Sequence, residues 1–275
     1  GLITPRTRLI AVNYASNITG TINDVAAICR RMRAAGALTY VDAVQFAPHG
    51  VIDVQALDCD FLVCSAYKFY GPHLGVLWGR LGLLERLTSD KLRVAPDSVP
   101  GRFEVGTQAH ELIAGLLGAV DYYAWLGRAC DPRAVGRRAE INAGKRAMQA
   151  HEARLARRLI DGLAALPGVT IRGLTGAGEM DERVSTVSLT AQGHAPEALA
   201  RALGERNIFA WSGDNYAVDL IEHLGLGPEG VLRLGPVHYN TTQEIDAVIA
   251  AMDELLRPRA VKSRPAPLET RRAPA

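Results

Sequence analysis

Lys68 sits in the run Cys64-Ser65-Ala66-Tyr67-Lys68-Phe69-Tyr70-Gly71-Pro72-His73, and Asp42 precedes it in Val41-Asp42-Ala43-Val44-Gln45. A lysine just beyond an apolar strand, with an acid held on a neighbouring strand, is the pair of groups needed to carry pyridoxal phosphate as a Schiff base. An amine that is desolvated and close to other cations has a lowered pKa, so Lys68 could attack an aldehyde and later move protons at a substrate α-carbon. Asp42 could keep the pyridine nitrogen protonated, the protein's main electronic lever on that cofactor. Gln45 can donate to the ring's phenolic oxygen, and the hydroxyls of Ser65 and Thr107 can donate to phosphate oxygens. Taken singly, these residues read as a solvated loop lysine, a strand-end aspartate and ordinary loop hydroxyls. The combination is what points to chemistry.

The elements that would position these residues alternate between strand and helix. Leu9 to Tyr14 is short, apolar and partly β-branched, and it stops at Ser16-Asn17 and Gly20, so it reads as a buried strand. Asn23 can cap a helix in which Val25, Ala26, Ile28, Cys29 and Met32 recur at helical spacing until Gly36. Leu38 to Val41 reads as the next strand, Asp53 as the cap of one short helical turn, and Phe61 to Cys64 as the third strand. Right-handed crossovers keep such strands parallel, which brings Asn17, Asp42 and Lys68 to one sheet edge, where open α/β sheets bind ligands.

With these residues in view, the stretch from Thr7 to Thr107 resembles the fold-type I pyridoxal phosphate enzymes of aminotransferase class V, and within them the cysteine desulfurase-like group. The matching pieces are Ser16 to Thr21, Asp42-Ala43-Val44-Gln45 with Pro48-His49, Asp58 to Phe61, Lys68 with Tyr70-Gly71-Pro72, Arg102-Phe103-Glu104 with Gly106-Thr107, and Arg233 with Tyr239-Asn240-Thr241. The resemblance implies an internal aldimine at Lys68, a pyridinium partner at Asp42, and cofactor contacts from Asn17, Gln45 and Ser65. It also implies a homodimer with shared active sites, in which Thr107 reaches the partner's phosphate, and substrate carboxylate binding by Arg233. A guanidinium suits that last task, because it grips a carboxylate with two parallel hydrogen bonds.

Two departures accompany the matches. Desulfurases carry a loop cysteine ahead of the carboxylate-binding arginine, whereas the corresponding stretch here, Phe209 to Tyr216, has none. Of the four cysteines, Cys29, Cys59 and Cys64 fall on a helix face, at a strand's approach and inside a strand, as structural thiols do, and Cys130 ends a helical pattern. Tyr67 stands where desulfurases usually have a histidine and His73 where many have a threonine. Together with Trp211 and Tyr216, these two residues could shape a substrate pocket different from the cysteine pocket. The second departure lies at the amino end. The family's phosphate-cradling turn and ring-stacking residue belong to a part of the large domain before Asn17, and that portion is absent from this sequence.

The expected architecture is α/β. Residues 1–130 form part of a large domain of the pyridoxal phosphate transferase type with a mainly parallel sheet, its N-terminal portion absent. Residues 131–257 form a smaller α/β domain, and 258–275, rich in Pro, Arg and Ala, form a disordered tail. The helical pattern from Leu112 to Leu126, the long amphipathic helix from Arg133 to Leu166, and strands at Val169 to Arg172, Val184 to Leu189 and Val231 to Leu234 underlie that division. With 48% hydrophobic and 22% charged residues over 275, the composition is that of an ordinary globular protein, and a formal charge of +2 gives no reason to expect nucleic acid. No run of about 20 apolar residues suggests a membrane span. Four unevenly spaced cysteines lacking a Cys-x-x-Cys pair fit neither a zinc site nor a disulfide framework, and agree with a reducing cytoplasm.

The expected function is therefore a pyridoxal phosphate enzyme acting on a small amino acid, by elimination or carbon-sulfur cleavage without a cysteine relay. The alternatives are an aminotransferase, an amino-acid epimerase, or a truncated fold that dimerises without catalysis.

Overall fold

A computed structural model describes residues 2–257; the tail expected at 258–275 lies outside the described residues. The first lobe is built on a four-stranded sheet in the order β1-β2-β3-β4. The strands β1 (Leu9–Asn13), β2 (Leu38–Asp42) and β3 (Phe61–Ser65) are parallel, and β4 (Gly75–Gly79) returns antiparallel to β3. Between them run α1 (Val25–Ala34) and the short α2 (Val54–Leu57). Asp53 caps α2 as expected, accepting from the amides of Gln55 and Ala56, but the cap of α1 is Asp24 and not Asn23. Asn23 instead donates its amide to Asn13, tying the helix entry to the end of β1. The apolar stripe of α1, Val25 and Cys29, packs with Val41, Ala43, Leu57, Cys59 and Leu62 into one core. Leu9 and Leu77 remain half exposed, on a sheet face that the described residues do not cover.

The short α3 (Leu81–Leu84) follows β4, and α4 (His110–Cys130) and α5 (Arg137–Ala164) then form an antiparallel pair. Their backbones come close enough that a Cβ added at Gly127 would lie 1.8 Å from the Glu140 carbonyl oxygen, so this crossing requires glycine. The second lobe is an antiparallel sheet in the order β5-β6-β8-β7. It comprises β5 (Val169–Arg172), β6 (Val187–Ala191), β7 (Trp211–Gly213) and β8 (Val231–Leu234), with α6 (Pro196–Gly204), α7 (Val218–His223) and α8 (Thr242–Leu256) around it. Leu155, Leu159 and Leu163 of α5, Leu189, Leu232, Leu199, Ile245 and Met252 make its core. The strand expected at Val184 starts later, at Val187, because residues 183–186 are used to join the two lobes. Four elements, β4, α3, β7 and α7, carry no clear signal in the sequence: the two strands are short and end on glycine, and helices of four and six residues are too brief for their period to register.

Candidate active site

Lys68 occupies a single 3-10 turn, Ala66–Phe69, in the connection between β3 and β4. The turn is closed by the Gly71 amide donating to the Ala66 carbonyl, and by the Ala66 amide donating to Leu74. Tyr70 follows in the left-handed region at φ 70°, a conformation a bulky residue adopts only when its surroundings impose it. Here its ring is surrounded edge-on by Tyr122, His238 and Tyr239, and its hydroxyl lies 3.2 Å from Nδ1 of His238. The turn bearing Lys68 thus rests on an aromatic cluster drawn from both lobes.

Asp42 is the last residue of β2, in register with Asn13 of β1 and Val63 of β3. One oxygen accepts from the Val44 amide at 2.9 Å, and among the described residues the carboxylate has no ion-pair partner. Burial lowers the pKa of Lys68; the charge of Arg233 lowers it further, and that of Asp42 opposes both. These three residues, far apart in sequence, therefore act on one another electrostatically, and Lys68 is more readily deprotonated than a surface lysine. Arg233, on β8, is itself pushed down by burial and donates to the Asn17 carbonyl at 3.0 Å.

Asn17 does not stand directly at a strand end. It belongs to the loop 16–22, which leaves the first lobe and lies across the second. Its side-chain amide donates to the Asn215 carbonyl at 2.7 Å. Gly20, at φ +73°, accepts from the Val184 amide; a Cβ there would lie 2.7 Å from the Thr186 carbonyl oxygen, so only glycine allows this approach. Buried Arg183 secures the other side by donating to the carbonyls of Leu174, Val184 and Thr186. Gln45 also spans the lobes: its side-chain nitrogen donates to Oγ1 of Thr186 at 2.8 Å, leaving its carbonyl free.

Ser65 closes β3, half-buried, one turn before Lys68. Tyr67 is about half exposed, packs at a tilt of 34° against His73 with ring centroids 4.9 Å apart, and has the Lys68 amine 5.8 Å from its ring centre. Thr107 is exposed on the segment preceding α4, and no contact joins it to the other candidates among the described residues. Cys29 and Cys59 are buried and Cys64 half-buried; burial raises all three thiols, that of Cys59 to about 11, which disfavours the reactive thiolate. Cys130 is exposed.

In the sequence His49 stands out only as part of a family-like run, and Glu152 does not stand out at all. Both are buried, with Nδ1 of His49 2.6 Å from Oε2 of Glu152, joining the turns after β2 to the middle of α5. A glutamate at a buried phase of an arginine-rich helix was the available signal. Lys145, one turn pair earlier on α5, is buried over the Tyr123 ring and brought down to about 8 by desolvation, with Glu152 opposing.

The chain matches the family model for aminotransferase class-V over residues 1–248. The chain belongs to that family. It is 34% identical over 260 residues to an aminotransferase-like protein of Gibberella zeae, covering 93% of this chain and 61% of that protein. It is 31% identical over 269 residues to a cysteine desulfurase of Pectobacterium atrosepticum, covering 93% of this chain and 60% of the other. The solved structure of the cysteine desulfurase CsdA of Escherichia coli superposes with a TM-score of 0.75 at 31% identity, over 93% of this chain and 60% of that one. The chain thus spans about 60% of the length of the relatives it matches. The class-V family uses pyridoxal phosphate, and the expected mixed α/β fold with a mainly parallel first sheet agrees with these neighbours. The donor set here fits that cofactor: an amine with a lowered pKa, an accessible unpaired carboxylate, and a strand-end hydroxyl beside the amine.

Among the described residues no helix is long and apolar enough to cross a membrane, and no group of three or more His, Cys, Asp or Glu residues could hold a metal ion.

Proposed function

We propose that this protein works as a pyridoxal phosphate enzyme on a free α-amino acid, with Lys68 as cofactor anchor and proton carrier, and without a cysteine relay. The observation that carries the reading is the shared field of Lys68, Asp42 and Arg233. When bound, the cofactor supplies an aldehyde for amines and an electron-withdrawing ring. Lys68 and Asp42 would hold it, with Asn17, Gln45 and Ser65 as further contacts. Arg233 binds the substrate carboxylate and so orients the α-carbon toward the Lys68 turn. The Lys68 amine, neutral more readily than usual, accepts the α-proton and returns it. The loop after β7 reads Asp214-Asn215-Tyr216, with no thiol to take up sulfur, which supports direct elimination or carbon-sulfur cleavage. The aminotransferase-like relative makes amino-group transfer the second reading. Exposed Thr107, apart from the other candidates, fits a homodimer in which it serves the second copy.

Absorbance of the purified protein incubated with pyridoxal phosphate tests the anchor. A violet band that borohydride removes, with the cofactor recovered on the peptide containing Lys68, is expected in the unaltered protein and lost in Lys68→Ala. Persistence of that band in Lys68→Ala would refute the assignment.

A further inference from the structure

Residues directly opposite on neighbouring antiparallel strands project from the same sheet face. In the second lobe Arg172 pairs with Ser188, Ser188 with Arg233, and Arg233 with Trp211, so these four form one row across β5, β6, β8 and β7. The first half of the row is roofed by the loop 16–22. A Cβ on Gly173 would lie 2.4 Å from the Thr19 carbonyl oxygen, Gly20 abuts Thr186 and Val184, and Ser188 is fully buried. Arg233 reaches the loop at Asn17. Beyond it the roof ends. Trp211, on the edge strand β7, is 62% exposed.

An exposed tryptophan beside a half-buried arginine needs a reason, since leaving an indole in water forgoes the stabilisation its burial would give. The residues that follow β7 keep the surface open. Asn215 is buried, its carbonyl fixed by Asn17, and the Tyr216 amide donates to Asp214, which holds Asn215 and Tyr216 at φ 52° and 63°. The loop is thus held by Asn17 and Asp214, and it leaves both Trp211 and Tyr216 exposed, the latter at 97%.

We propose that Trp211 is the specificity-determining wall of the substrate site, and that the preferred substrate is an amino acid with a bulky apolar or aromatic side chain. The proposal rests on Arg233 as the carboxylate residue. In an α-amino acid the side chain leaves the carbon next to the carboxylate, and directly opposed residues have Cβ atoms roughly 5 Å apart. A ligand held by Arg233 thus has its side chain within reach of the indole. The indole offers an apolar face and a single N–H donor, which reward apolar or aromatic groups and give an anionic or cationic side chain no ion-pair partner. Arg172 cannot supply one, because it lies two strands away under the roofed half of the row.

Equilibrium binding of L-phenylalanine, L-alanine and phenethylamine to the protein carrying pyridoxal phosphate, read by calorimetry, tests the proposal without relying on turnover. L-Phenylalanine should bind at least about tenfold more tightly than L-alanine, the scale of burying an aromatic side chain against an aromatic partner. Trp211→Ala should reduce that ratio to about twofold by weakening L-phenylalanine alone, and Trp211→Phe should keep most of it. Equal affinities for the two amino acids in the unaltered protein, or a loss in Trp211→Ala that is the same for both, would overturn the proposal. The carboxylate reading fails by a different result: phenethylamine binding as tightly as L-phenylalanine.

Discussion

Replacing Arg233 by alanine perturbs two functions at once, and their signs can be worked out separately. Arg233 is half-buried and uses one N–H on the Asn17 carbonyl, leaving the rest of its fork for a ligand carboxylate. Charge-assisted hydrogen bonds contribute about 1.5–3 kcal/mol, and partial solvent access argues for the lower half of that range, so a loss of about 2 kcal/mol is expected. That corresponds to a fall of about 30-fold in kcat/KM for an amino acid, with little change for the corresponding decarboxylated amine. The second effect falls on Lys68. The Arg233 charge lowers that amine's pKa and the Asp42 charge raises it. In cofactor-free protein Arg233→Ala should therefore shift the pH dependence of Lys68 acylation, followed by mass spectrometry, to higher pH, and Asp42→Asn should shift it to lower pH. Substrate kinetics and the labelling profile are independent assays. Shifts of the same sign in the two variants, or a kcat/KM loss equal for amino acid and amine, would refute the shared-site geometry.

Asp42→Asn should also lower turnover by about two to three orders of magnitude while cofactor remains bound, since one preorganised charge is lost; near-normal turnover would count against its role as ring partner. His49→Ala leaves Glu152 buried at 2% side-chain exposure without its 2.6 Å partner, and should destabilise the protein by about 3 kcal/mol in urea titration. A loss below about 1 kcal/mol, the range of surface pairs, would mean that the pair does not hold the lobes together. Incubation with cysteine should leave Cys29, Cys59, Cys64 and Cys130 free of persulfide by intact-mass analysis, whereas a stoichiometric adduct on any of them would restore a thiol relay.

What the sequence determined by itself is local: where apolar runs begin and stop, and which polar residue ends each run. Three parallel strands with Asp42 at the end of one and Lys68 beyond another follow from such runs, because right-handed crossovers leave little freedom in how they assemble. The helix-capping Asp53, the boundaries of β8, and the burial of Cys29 and Cys59 were legible for the same reason. The relation between the lobes depended on tertiary structure, since hydrogen bonds such as Gln45 to Thr186, Asn17 to Asn215 and Arg233 to Asn17 join residues with no local pattern in common. The same holds for the buried His49–Glu152 pair and for the row that sets Trp211 beside Arg233. Strand register is decided by how side chains pack across a sheet, and a three-residue edge strand carries too few residues to announce its partner. The placement of Lys68 just beyond a parallel strand was therefore readable from one stretch of chain, whereas its neighbourhood with Arg233 depends on how the loop 16–22 joins the two lobes.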